Sequence, residues 1–239
     1  MKKEWKAGRI DSLLLEDRML GVTGAHQACN SLEGLEILLK ENNINEDSTV
    51  VEIGSFGGVS SELFALKCKK VYCIDPWTRL FDGDDEINLE AREKYPEKNA
   101  DKQVVEKLEN GLTWKENVEW AEKTFDARMF VYNNVVKVKD FSHHACSRIE
   151  NESVDMVYVD GIHDFAGVRA DILNYYPKLK VGGVLAGHDY YCRGVRRCVI
   201  YLGEHYLETR KKYKDSSWSF IKKADVNIEI PETYRDACK

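Results

Sequence analysis

The chain has 239 residues, a length that suits one α/β domain with additions. Its hydrophobic content of 43% is enough for a sizeable core and argues against a disordered chain. A net charge of −6 sets the overall field against a non-specific nucleic-acid binder, so no nucleic acid is expected as a partner.

Seven scattered Cys form no CxxC pair and no Cys/His zinc spacing; they read as buried thiols in a reducing cytoplasm. Met1-Lys2-Lys3 is followed by no apolar segment, and no run approaches the length of a membrane span. The expectation is a cytoplasmic protein with no membrane partner.

Residues 1–30 are mixed in character. From Ser31 to Lys40, apolar positions recur at helical spacing behind a Ser cap, and Asn42-Asn43 stops them. Residues 1–45 are therefore expected as an N-terminal helical extension of a single domain spanning 1–239. A first strand is expected at about Thr49–Ile53. The glycine turn Gly54-Ser55-Phe56-Gly57-Gly58 follows, then a helix from Ser60 to Lys67. A second apolar run, Val71–Ile74, ends in Asp75.

Glycine in such a turn lets a ligand approach the backbone, where a Cβ would obstruct it. Asp75 lies about 20 residues past Gly54, the usual spacing for a carboxylate that accepts hydrogen bonds from a ribose diol. A dinucleotide loop would want glycine where Phe56 and Val59 stand, and a phosphate loop would want Gly-Lys-Ser/Thr. The loop is thus poor for phosphate. It suits S-adenosylmethionine, which has a ribose diol, no phosphate, and an aminocarboxypropyl arm to lie over Gly54–Gly58. An ordinary tight turn beside a surface acid fits the same residues.

The polar stretch opened by Asp82-Gly83-Asp84-Asp85-Glu86 interrupts the alternation of strand and helix. It reads as an insertion over about 78–130, with 78–115 expected as a lid over the ligand-binding edge. Trp114–Tyr132 has helical character, Val135–Val138 reads as a short strand, and Phe141–Ala145 opens a helix.

Val154–Val159 is a buried strand ending at Asp160, followed by the helical stripe Phe165, Val168, Ile172 and Tyr175/Tyr176. Gly182-Gly183 is expected to turn the chain into a strand at Val184–Ala186. Strands alternating with helices predict a parallel, doubly wound α/β sheet. Ligands of such sheets sit at the carboxyl ends of the strands. Glu52, Asp75, Asp160 and Asp189 all fall there.

Asp160-Gly161-Ile162-His163-Asp164-Phe165, then Asp171, then Tyr176-Pro177-Lys178-Leu179-Lys180-Val181-Gly182-Gly183-Val184 and Gly187-His188-Asp189-Tyr190 resemble class I S-adenosylmethionine-dependent methyltransferases. The branch resembled is that of bacterial O-methyltransferases of small molecules and sugars. Glu52-x-Gly54, Asp75-Pro76-Trp77 and Trp218–Lys222 match in the same order. The resemblance implies a Rossmann-like methyltransferase sheet of seven strands whose last hairpin is reversed. Glu52, Gly54, Ser55, Phe56 and Gly58 would hold the amino-acid end of the cofactor. Asp75, with Pro76 and Trp77, would hold the ribose, and Phe141 and Ser142 would lie beside the adenine.

Asp160 either faces the methyl group, the cofactor or a metal, or caps the next helix. His163, His188 and Asp160 are the candidate bases for an acceptor hydroxyl, and Asp189 completes the catalytic set. Related metal-dependent enzymes place an acid and an amide where His188-Asp189 stands. The favoured expectation is therefore no metal; if one is bound, Asp160 and Asp189 hold it. His143-His144 reads as a polar helix start, and Arg193, Arg196 and Arg197 as a solvated face that an anionic substrate could use. The expected activity is methyl transfer to a small-molecule acceptor, at a hydroxyl oxygen. A catalytically silent methyltransferase-like domain that binds a nucleoside or a partner is the alternative. Homo-oligomerisation stays open.

Overall fold

The computed structural model describes residues 32–78, 114–224 and 226–232. Helix α1 (Leu32–Glu41) buries Leu32, Leu35, Leu38 and Leu39 on one face, the stripe of an amphipathic helix. Asn43 adopts φ 55 and turns the chain towards strand β1 (Thr49–Ile53). Helix α2 (Val59–Lys67) starts on Gly58 in the left-handed region. Strand β2 (Lys70–Asp75) then returns parallel to β1.

Helix α3 (Trp114–Met129) buries Val118, Ala121, Phe125 and Met129. It leads to β3 (Val135–Lys139), which pairs parallel with β2; parallel neighbours need such a crossover. The expected insertion over 78–130 ends in this helix, and its residues 79–113, including most of the expected lid, lie outside the described residues.

The short helix α4 (Ser142–Ala145) precedes β4 (Val154–Val159), which pairs with β1. Helix α5 (Phe165–Tyr175), strand β5 (Leu179–Gly187), helix α6 (Arg193–His205) and strands β6 (Lys211–Lys212) and β7 (Trp218–Ile221) complete the chain. The seven strands run β3-β2-β1-β4-β5-β7-β6, with β7 antiparallel to both β5 and β6. This is the expected doubly wound sheet with a reversed last hairpin.

Alternation along the strands builds two cores. Val51 and Ile53 face one with Val157, Ile172 and Leu202, while Val50 faces the other with Leu35, Leu63 and Phe125. Burial on both faces is what near-continuous apolar strands require. One local expectation changes. Gly182-Gly183 lies inside β5, where the register with β4 slips between Val154 and Met156; glycine at φ 81 there marks a bulge, not the turn before a strand. The charged Lys211-Lys212 run is itself an exposed edge strand, where lysine discourages pairing with other chains.

The strand order reverses between β1 and β4, which opens a crevice at their carboxyl ends.

Candidate active site

Glu52, one residue before the end of β1, is fully buried. Its carboxylate accepts hydrogen bonds from Ser55 Oγ at 2.7 Å and from the hydroxyls of Ser60 and Ser61. Burial pushes its pKa up to about 7 against those three hydroxyls. Glu52 therefore ties the glycine turn to the first turn of α2 and has no surface of its own to offer a ligand. Arg128 of α3 adds a further tie, donating from Nη1 to the Gly57 carbonyl at 2.6 Å.

The glycines of this turn answer to the protein itself. Gly54 has φ 89, and a Cβ there would lie 2.1 Å from the Asp160 carbonyl oxygen. Gly58 has φ 82, and a Cβ would meet the Phe125 ring at 2.9 Å. The close approach expected for a ligand is, at both positions, a close approach of β4 and α3. Phe56, between them, is held at φ 40, a conformation that costs a non-glycine residue on the order of 1–3 kcal/mol.

Asp75 fixes Phe56. Its Oδ2 accepts from the Phe56 amide at 2.9 Å and its Oδ1 from the Trp77 amide at 2.7 Å. Burial raises its pKa to about 6, opposed by these two amides. Each oxygen keeps a second lone pair, and the residue is half-buried at the crevice, so the carboxylate fits a ribose diol. Pro76 is half-buried beside it. Trp77 is buried, packs on Phe125 at 4.7 Å between ring centroids, and donates its indole N–H to the Phe56 carbonyl at 2.8 Å. Trp77 thus braces the loop from beneath.

Phe141 is the N-cap residue of α4 and is half-buried. Ser142 donates from Oγ to Asp171 Oδ1 at 2.5 Å, and its carbonyl accepts from Tyr175 Oη at 2.7 Å. Burial pushes Asp171 up to about 7. The pair of contacts locks α4 against α5 just past the end of β3.

At the ends of β4 and β5, four titratable groups converge. His163 Nε2 lies 3.0 Å from Asp189 Oδ2 and 3.7 Å from Asp160 Oδ1. His188 Nδ1 lies 3.5 Å from Asp189 Oδ2 and 3.9 Å from Asp160 Oδ1. Asp160 is not a helix cap: Asp164 caps α5, accepting from the Gly167 amide at 2.8 Å. Asp189, just past the end of β5, sits at φ 55, as Phe56 and Trp77, past the ends of β1 and β2, sit at φ 40 and 42.

The electrostatics separate the four. Burial works against both imidazolium ions, but the carboxylates outweigh it: His188 rises to about 10 and His163 also rises. Burial opposes ionisation of Asp189, yet the hydrogen bond from His188 and the charges of His163 and His188 hold its carboxyl below the usual range. Burial raises Asp160. The His188 side chain is only 19% exposed, against 44% for His163. Ser216 Oγ lies 3.3 Å from His188 Nε2, and the indole of Trp218 donates to the His188 carbonyl at 3.0 Å.

Among the described residues, a metal has two sets of donors to choose from. Asp160, His188 and Asp189 offer one group of ligand atoms within 4.8 Å of one another; His163, Asp189 and Cys192 offer a second.

Sequence reasoning missed Ser60, Ser61, Arg128, Cys192 and Ser216. The two serines carry a signal, since they lie in the first turn of the helix that follows the glycine turn. Ser216 and Arg128 come from distant elements and carry none. His143 and His144 stack at 4.1 Å on α4, and His144 pairs with Asp140 at 3.5 Å, away from the acid/His cluster. Arg193 and Arg196 are exposed on the first turns of α6, while Arg197 stacks over Phe165 at 4.4 Å.

A family described as a methyltransferase domain matches residues 51–190, and the chain belongs to it. The fold is that of class I S-adenosylmethionine-dependent methyltransferases. An O-methyltransferase called NovP superposes with a TM-score of 0.55 at 14% identity, over 90% of this chain and 98% of its own. A putative caffeoyl-CoA O-methyltransferase from Staphylococcus aureus gives 0.55 at 16%, over 90% and 93%. An rRNA methylase from Streptococcus thermophilus gives 0.52 at 12%, over 80% and 97%. No curated protein matches the chain. Among the described residues, no helix is long and apolar enough to cross a membrane.

Proposed function

We propose that the protein methylates a hydroxyl oxygen of a small-molecule acceptor, with His163 as general base. The observation that carries this reading is the His163–Asp189 pair, 3.0 Å apart and open to solvent at the crevice. Asp189 Oδ2 lies beside Nε2 of the ring, which favours the proton on that nitrogen and leaves Nδ1 of neutral His163 to take a proton. His188, more buried and held protonated at neutral pH, balances the charge of Asp160 and Asp189. Asp75 binds the ribose hydroxyls, and the turn Gly54–Gly58, braced by Glu52 and Trp77, receives the amino-acid end of the cofactor.

S-adenosylmethionine supplies an electrophilic methyl on sulfonium when bound. The chain's residues align the acceptor for in-line attack and remove the hydroxyl proton. The proton passes to His163, the new bond is C–O, and the C–S electron pair stays with sulfur. Both imidazoles occupy the carboxylates in the observed arrangement, so this reading needs no metal. The net charge of −6 favours a small acceptor over an extended polyanion. The test is release of S-adenosylhomocysteine across a panel of hydroxylated acceptors, with wild type and His163→Gln compared. Turnover on a hydroxyl acceptor that His163→Gln loses supports the reading; equal turnover by both contradicts it.

A further inference from the structure

We propose that His163, Asp189 and Cys192 form a binding site for a soft divalent cation of the Zn²⁺ class, and that an ion there blocks the base. The proposal rests on the assignment of His163 as base for its consequence, but the site itself follows from geometry alone. The three residues each place one ligand atom within 4.8 Å of the other two. They do so because the chain turns tightly after β5: Asp189 adopts φ 55, and the Cys192 amide donates to the Asp189 carbonyl at 2.8 Å. That turn brings a residue three positions on back over Asp189. Gly194 seats the start of α6 on the same loop; a Cβ there would lie 2.3 Å from the His163 carbonyl oxygen.

The donor set is one thiolate, one imidazole and one carboxylate. Sulfur selects Zn²⁺, Co²⁺ or Cd²⁺ over Mg²⁺, which demands six oxygen ligands. Three protein ligands leave a fourth tetrahedral position open to water or to an acceptor oxygen. The His163 side chain is 44% exposed and Asp189 27%, so an ion can enter. The alternative set of Asp160, His188 and Asp189 lacks sulfur and shares Asp189. Binding displaces the thiol proton of Cys192, and the second proton of a protonated His163, to solvent. A metal on one ring nitrogen of His163 leaves the other nitrogen protonated, so the ring has no lone pair left to accept the hydroxyl proton.

Cobalt reports this site directly, because a thiolate ligand adds a near-ultraviolet charge-transfer band that oxygen and nitrogen ligands do not. The metal-free full-length chain is titrated with Co²⁺ in the presence of a phosphine reductant. The expected result is one equivalent of Co²⁺ with a charge-transfer band, displaced by Zn²⁺. Cys192→Ser, at an unchanged melting temperature without metal, loses the band, and His188→Gln keeps it. A wild-type spectrum without the band overturns the site. So does a band that survives in Cys192→Ser, or binding that Asp160→Asn abolishes. Calorimetry with S-adenosylhomocysteine runs alongside: a protein that binds cobalt as described but not the nucleoside overturns the methyltransferase assignment and leaves the metal site standing.

Discussion

Asp189 Oδ2 lies 3.0 Å from His163 Nε2, across the gap between the ends of β5 and β4. The carboxylate thus orients an imidazole that the sequence places 26 residues earlier. His163→Gln is expected to lower kcat by roughly 10²–10⁴-fold, the usual worth of a general base, while the affinity for S-adenosylhomocysteine stays at the wild-type value. Because Asp160 and Asp189 raise the His163 pKa over the opposing effect of burial, kcat should climb with pH through that raised value. A flat wild-type profile, or a His163→Gln variant with full turnover, assigns the proton transfer elsewhere.

Stability should fall as pH rises. The folded pKa of Glu52, about 7, stands above its ordinary 4.5, so the folded state binds more protons between those values and loses stability on going up through them. Shifts of this size are worth on the order of 3 kcal/mol. His188 acts in the same direction: its folded value of about 10 lies above 6.5. Its contribution is complete below 6.5 and is lost as pH climbs through 10. Scanning calorimetry of the ligand-free protein should give a higher melting temperature at pH 6 than at pH 9. Glu52→Gln should flatten the part of the profile between pH 5 and pH 7; an unchanged slope there would mean that Glu52 ionises freely.

Two glycines with the same backbone angle should differ sharply on substitution. Gly54 and Gly182 have φ 89 and 81, but a Cβ on Gly54 strikes the Asp160 carbonyl whereas one on Gly182 meets nothing within 4 Å. Gly182→Ala is expected to cost about 1 kcal/mol, the left-handed penalty alone. Gly54→Ala adds a backbone collision and should cost at least about 3 kcal/mol. Urea denaturation of the two variants measures the difference, and equal midpoints would show that the ends of β1 and β4 are not in contact.

Most of the sheet was legible because its strands are buried on both faces and read as apolar runs ending in acids. Thr49–Ile53 and Val154–Val159 are observed with the expected bounds. The start of β5 was not legible, since Gly182-Gly183 signals a turn and a bulge equally well and only the pairing with β4 decides. The candidate site residues were legible as types at strand ends. Their partners were not: nothing in the sequence announces that Ser216, on the turn between β6 and β7, reaches His188, or that Phe125 is the neighbour that Gly58 must clear. Such contacts depend on how distant segments pack.

Turnover is expected to survive EDTA. Protonated His188 already offsets the charge of Asp160 and Asp189, and His163 lies 3.0 Å from Asp189, so the site needs no further cation to hold its two carboxylates together. Full activity after dialysis against EDTA, with no gain on adding Mg²⁺ or Mn²⁺, is the expected outcome. Loss of turnover restored by Mg²⁺ would instead assign Asp160 and Asp189 as metal ligands.

The most direct test of the account is calorimetric titration with S-adenosylhomocysteine of wild type and of Asp75→Ala. Asp75 is placed to accept the ribose hydroxyls while holding the amides of Phe56 and Trp77. Charge-assisted hydrogen bonds of this kind are worth about 1.5–3 kcal/mol each. The account predicts one site in the wild type and an affinity at least about tenfold weaker in a folded Asp75→Ala variant. Equal affinity in the two proteins, or no binding by the wild type, would contradict it.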